Sequence, residues 1–229
     1  MKFVLIPDSF KGTLSSGQIC RIMDEKIKSH FPDSTTISIP VADGGEGSVD
    51  AFITAVGGTR EYVTVRNPYF EEMESYFGLI DGGNTAVIEM ASCAGLPLVE
   101  DRKNPELTTT YGVGEMIRDA IEKGCRHFIV GIGGSATNDG GIGMLQALGF
   151  EMLNERGEQV PFGAEGLSGL HRIRTEHVLK ELQECTFRVA CDVTNPLCGP
   201  KGASAVYGPQ KGADAEMIAW MDEWRGRYA

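Results

Sequence analysis

Apolar positions along this chain follow two periods, and the periods take turns. Residues 3–6 are a short apolar run of strand length. Ser15 then stands three residues before Gln18, the spacing of a capping box, and Ile19, Ile22, Met23 and Ile27 recur on one helical face. Residues 36–39 read as a second strand. Asp43-Gly44-Gly45-Glu46 repeats the cap spacing ahead of Val49, Phe52, Ile53 and Val56, and Gly57-Gly58 closes that helix. This β-α-β-α order predicts a parallel sheet with covering helices.

The middle of the chain changes period. Residues 61–65, 74–80 and 86–90 alternate or run apolar, and Asp81-Gly82-Gly83-Asn84 between the last two is a hairpin turn by composition. Val113, Met116, Ile117, Ala120 and Ile121 then mark a helix that Gly124 ends, and residues 127–130 form a strand running into Gly131. Residues 151–184 are polar and weakly periodic. Residues 187–191 read as another strand, and a helix starts near Asp214 with Met217, Trp220, Met221 and Trp224 on one face. The expected fold class is α/β in two domains, with the boundary near residue 86: a parallel-sheet unit over 1–86 and a mixed α/β unit over 87–229.

Bulk properties narrow the function classes. At 229 residues and 41% hydrophobic content, the chain can bury a sizeable core. A net charge of −11 with no dense run of Lys and Arg argues against a nucleic-acid partner. The N-terminal seven residues are too short and too quickly polar for a signal peptide, and no apolar run approaches a membrane span. A cytoplasmic location away from membranes is expected. The six cysteines form no CxxC pair and read as reduced core thiols, and the four histidines show no metal-ligand spacing.

The candidate chemistry sits at predicted strand ends. Residues 131–141, Gly-Ile-Gly-Gly-Ser-Ala-Thr-Asn-Asp-Gly-Gly, contain five glycines between a strand and a helix start. Such a turn presents bare backbone N–H groups to an anion, and it predicts a phosphate-binding turn for a nucleotide. Gly133, Gly134 and Ser135 are the candidate donors, and Asn138 and Asp139 add polar side chains for the same nucleotide. The turn is no P-loop, because no Gly-Lys-Ser/Thr follows. Lys11 follows the first strand and suits a phosphate or a substrate carboxylate. Asp43 and Glu46, beside three glycines, suit Mg²⁺ or a substrate hydroxyl, with a plain helix cap as the competing reading. Asp192, at the end of another strand, can accept a hydroxyl proton or hold a metal, or simply form an Asx-turn before Pro196. The segment 207–212 can bring Lys211, another cation, near phosphate, although taken alone it reads as an ordinary turn. No Gly-x-Ser-x-Gly elbow is present, which argues against a serine hydrolase. Carboxylates, Asn and Lys beside glycine fit phosphoryl transfer, where positioning and charge neutralisation supply most of the catalysis.

Taken together, six stretches resemble the bacterial glycerate kinase family: residues 7–12, 42–47, 108–112, 131–141, 190–197 and 208–212, in the family's order. The resemblance implies ATP-dependent phosphorylation of D-glycerate, chiefly at the 2-hydroxyl, with Mg²⁺. It implies two α/β domains around a cleft, the first a discontinuous Rossmann-like unit. Family members are much longer, so the expectation is an N-terminal portion lacking the C-terminal part. Its first sheet would be incomplete, with an exposed edge that favours self-association. Under this reading Asp192 is the base, Lys11 meets substrate carboxylate or phosphate, Asp43 and Glu46 hold metal, and the glycine turn binds phosphate. Two alternatives stand beside it. One is an NAD-dependent oxidoreductase on Gly131-x-Gly133-x-x-Ala136, with Glu151 as the ribose-binding acid. The other is a non-catalytic remnant that binds a ligand or partner.

Overall fold

A computed structural model describes residues 1–10 and 13–229 of the chain. The N-terminal part is β1 (Lys2–Leu5), α1 (Ser16–His30), β2 (Thr35–Ser38) and α2 (Ser48–Val56). Then come β3 (Thr59–Arg66), β4 (Glu72–Ile80), β5 (Thr85–Glu89) and the single-turn α3 (Ala91–Ala94). The rest is α4 (Tyr111–Glu122), β6 (His127–Gly131), α5 (Ile142–Ala147), β7 (Glu151–Leu153), α6 (Glu165–Ser168), β8 (Arg172–Arg174), β9 (Thr186–Ala190), α7 (Ala203–Tyr207) and α8 (Ala215–Tyr228). The mixed α/β class expected from the sequence holds.

Local signals place many of these ends. Ser15 caps α1 with both bonds of the box, Gln18 N–H to Ser15 Oγ and Ser15 N–H to Gln18 Oε1. Asp214 caps α8 by accepting from Glu216 and Met217. Gly57, at φ +81, ends α2.

β1 and β2 pair in parallel as a two-stranded sheet. The larger sheet has the order β3-β4-β5-β6-β9, antiparallel through β5 and parallel from β5 to β9. Ala86, beside the expected domain boundary, lies within β5, so the strands before and after it share one sheet. The main core forms where Val113, Met116, Ile117 and Ala120 of α4 pack on Val65, Phe77, Ala86, Ile88 and Phe128 of this sheet. The stripe read from the sequence is the face of α4 that is buried, and β5 is buried at every residue.

The α1 stripe behaves differently. Ile19 is buried, but Ile22 and Met23 are exposed. The two-stranded sheet beside it also leaves Val4, Ile6, Ile37 and Ile39 exposed, and the edge strand β9 leaves Phe187 and Val189 exposed. Apolar periodicity marks these faces for burial, yet among the described residues no element covers them.

Candidate active site

Two glycine-bearing loops and the end of β9 meet at the carboxyl ends of the parallel strands. Gly133 N–H donates to Gly44 O at 3.1 Å, Ile132 N–H to Ala190 O at 3.4 Å, and Met90 N–H to Gly131 O at 2.9 Å. The loops after β2 and β6 are therefore joined backbone to backbone, and the turn after β6 also bonds to the last residue of β9. Side chains are excluded from this junction. A Cβ on Gly44 would lie 2.5 Å from Ala190 O, and one on Gly131 would lie 2.2 Å from Gly44 O. Gly44 also has φ +86, which an L side chain rarely adopts. The sequence reading thus brings Asp43, the glycine turn and the segment leading to Asp192 to one end of the sheet.

Within the turn, Gly133 has already spent its N–H on Gly44. The N–H groups of Gly134 and Ser135 have no acceptor among the described residues, and Gly134 is exposed at φ +71. These two are the donors left for an anion. Neighbouring bonds hold the turn in place: Leu96 N–H to Gly134 O and Ala136 N–H to Ala94 O.

Asn138 and Asp139 point inward. Asp139 is 1% exposed. Its carboxylate accepts from Thr110 N–H and Thr110 Oγ1, both at 2.8 Å, from Gly141 N–H and from Gly143 N–H. It clamps the start of α4 to the start of α5. Asn138 donates to Ser204 Oγ, and Arg225 of α8 donates to both its side-chain and its backbone oxygen. These side chains shape the turn from behind rather than facing its open side.

Asp43 Oδ1 accepts Gly45 N–H at 3.0 Å, and Glu46 is exposed. Neither caps α2. The N-cap is Gly47, in left-handed conformation and with no capping side chain. The cap is supplied from β5: Glu89, 2% exposed, accepts Val49 N–H at 2.6 Å. Burial pushes the Glu89 carboxyl above its ordinary 4.5, while the N–H groups of Val49 and Gly47 pull it back. A cavity of about 880 Å³ lies beside this loop, lined by Phe10, Ser15, Arg21, Glu46, Asp50 and Arg60 among others. Asp43 and Glu46 carry carboxylates of the kind that Mg²⁺ takes as ligands. Asp192 is exposed, two residues past Ala190. Lys11 lies outside the described residues.

Sequence reading undervalued two cations. Lys211 is 7% exposed, and its ammonium donates to Ser135 Oγ at 2.9 Å and Thr137 O at 2.6 Å. Burial, then the nearby Arg225, pushes the amine down to about 8 from 10.5. Arg225 is likewise buried, at 3% exposed. A lysine between Gln and Gly in a turn carries no sequence sign of burial. Glu89 did leave a trace, as a lone charge ending an apolar strand.

Elsewhere, Glu151, Glu176 and His177 bring ligand atoms within 4.8 Å of one another, a grouping that linear histidine spacing does not reveal. Glu151 opens β7 in the separate β7–β8 pair, away from the five-stranded sheet where a ribose-binding acid belongs. The cysteines are free, with Cys20, Cys93 and Cys125 buried. No described helix is long and apolar enough to cross a membrane.

The chain is 45% identical to a glycerate kinase of Haemophilus influenzae and 44% identical to the glycerate 2-kinase of Escherichia coli, in each case over 100% of this chain. It covers 61% and 60% of those relatives, so it spans about three fifths of their length. Its fold matches a crystal structure described as "putative glycerate kinase 2" from Salmonella typhimurium LT2, with a TM-score of 0.88 and 44% identity over 100% of this chain and 62% of that one. A sequence model of the glycerate kinase family matches residues 3–229, and the chain belongs to that family.

Proposed function

We propose that this chain carries the phosphate- and metal-binding part of an ATP-dependent glycerate kinase that phosphorylates D-glycerate on the 2-hydroxyl. The meeting of the 43–47 loop, the 131–135 turn and the end of β9 at Ala190, two residues before Asp192, carries the reading, since phosphoryl transfer needs phosphate donors, carboxylates and a base within one reach. Gly134 and Ser135 donate N–H groups to phosphate, and Gly133 keeps the backbone bare for close approach. Asp43 and Glu46 hold Mg²⁺, which when bound neutralises phosphate charge. Asp192 takes the proton of the substrate hydroxyl. Lys11 meets the substrate carboxylate or a phosphate.

The oxidoreductase alternative finds no support, because Glu151 sits in another sheet and the named relatives are kinases. A cytoplasmic location fits small-molecule kinase chemistry. Self-association through the exposed β9 edge and the open face of β1–β2 accounts for the apolar side chains there.

A coupled ADP-release assay with D-glycerate and Mg²⁺-ATP tests the activity, and phosphorus NMR of the product identifies the hydroxyl. ADP release dependent on D-glycerate supports the reading. Tight NAD binding without ATP binding would overturn it. Light scattering tests the edge: a strictly monomeric chain removes self-association.

A further inference from the structure

We propose that Lys211 is the positioning residue of the glycine turn, delivering a positive charge to its buried side and holding Gly134 and Ser135 ready for an anion. The proposal rests on the nucleotide-binding reading of that turn and assigns the group that tunes it.

The geometry is specific. Lys211 ends the short turn Pro209–Lys211, where its N–H bonds to Gly208 O. From there the ammonium reaches Ser135 Oγ, within the segment that carries the free N–H groups, and Thr137 O, two residues after it. An ammonium has three donors, and two are committed. Both bonds fix the turn's backbone and the Ser135 side chain, so the turn cannot rotate its N–H groups inward without breaking them.

The charge balance beneath the turn is lopsided. A buried charge is costly unless paired. The ionisable groups acting on Lys211 are Arg225 of α8, which repels it, and Asp139 of the turn, which attracts it. Lys103 backs the same segment, with its Cβ 2.7 Å from where a Cβ on Gly212 would sit. Asp139 is the one carboxylate acting on both buried cations, and it already accepts four hydrogen bonds from Thr110, Gly141 and Gly143. Arg225 also draws on Asp222 of its own helix, so it is Lys211 that depends on one heavily committed carboxylate. An anion on the open side of the turn, at Gly134 and Ser135, supplies the missing negative charge. The depressed basicity of the Lys211 amine agrees with this. Without an anion the proton is weakly held, and with one it is held more strongly.

Isothermal titration of the chain with ATP, at about pH 7 and about pH 9.5, tests the proposal; the phosphates of ATP are fully ionised over most of that range. Wild-type affinity should fall on the order of 10-fold between the two, as Lys211 loses its proton. Lys211→Met should bind on the order of 10-fold more weakly at the lower pH and show no further fall. Lys211→Arg, whose charge does not titrate in this range, should restore binding at the lower pH and abolish the fall. Should Lys211→Met fail to fold, the wild-type and Lys211→Arg profiles decide alone. Wild-type binding that is flat with pH, with Lys211→Arg no different, overturns the role of Lys211 while the nucleotide reading stands. No binding of ATP by the wild type at either pH overturns both.

Discussion

The Glu89 carboxylate accepts the Val49 N–H at 2.6 Å across 40 positions of sequence, and this bond ties the end of β5 to the first turn of α2. A helix N-terminus carries orphan N–H groups and partial positive charge, so a carboxylate there stabilises it. Because α2 follows the 43–47 loop directly, Glu89 also holds the acidic loop against the glycine turn.

Glu89→Gln keeps an acceptor for Val49 and should cost about 1 kcal/mol, whereas Glu89→Ala leaves a buried N–H unpaired and should cost about 3 kcal/mol. The pH profile separates charge from shape. Burial raises the folded pKa above the ordinary 4.5, so the folded chain holds this proton more tightly than the unfolded chain. The proton's stabilising contribution is complete below that value and is lost as pH rises through the raised pKa. Urea denaturation across this range should show a decline in wild type that Glu89→Gln removes.

Lys211 gives a slope of the opposite sign. Its folded pKa is lowered to about 8 from 10.5, so between these values the unfolded chain binds the extra proton. Stability should rise across that window by about 3 kcal/mol in wild type relative to Lys211→Met. Denaturation midpoints for both proteins at the two ends of the window measure the difference. Parallel profiles would place Lys211 in a more solvated setting than its burial indicates.

How much of this was legible in the sequence depended on how far each interaction reaches. The Ser15 cap formed as read, and Asp214, near which a helix start was read, caps that helix; both use partners within three residues. The α4 stripe was read correctly because one helix face meets one sheet. The convergence of the glycine loops was readable from their positions at strand ends. The groups behind the turn were not, since Arg225 meets Asn138 across 87 positions and Lys211 meets Ser135 across 76. Asp43 looked like the cap of α2 by spacing, but the true cap came from another strand. Composition likewise could not say that Asn138 and Asp139 turn inward, because the same side chains serve a ligand or a helix start equally well.

Asp139→Ala should therefore lower stability before it lowers ligand affinity. Losing four accepted bonds at a buried site should cost on the order of 3–5 kcal/mol. A thermal melt measures the cost. A variant of unchanged stability that no longer binds ATP would put the carboxylate at the ligand instead.

Gly44 and Gly47 both have positive φ, yet substituting them should have unequal effects. A Cβ on Gly47 meets nothing within 4 Å, so Gly47→Ala should cost about 1 kcal/mol of backbone strain. Gly44→Ala adds a clash 2.5 Å from Ala190 O, a backbone atom that cannot move aside. Its cost should reach about 3 kcal/mol or more, and the loop junction should separate. Chemical denaturation compares the pair, and hydrogen exchange at Gly133, whose N–H bonds to Gly44 O, reports the loop junction.

Asp192 is exposed beyond the end of β9, so Asp192→Asn removes the proposed base without disturbing the core. Stability should stay within about 0.5 kcal/mol of wild type. ATP affinity should also hold, since the turn's donors are elsewhere. Turnover with D-glycerate should fall on the order of 10²–10⁴-fold, the range for loss of a general base. The separation of these three readouts is the diagnostic result. A fall in turnover that tracks a fall in ATP affinity would move Asp192 from proton transfer to ligand binding, and turnover that persists would remove it from the chemistry altogether.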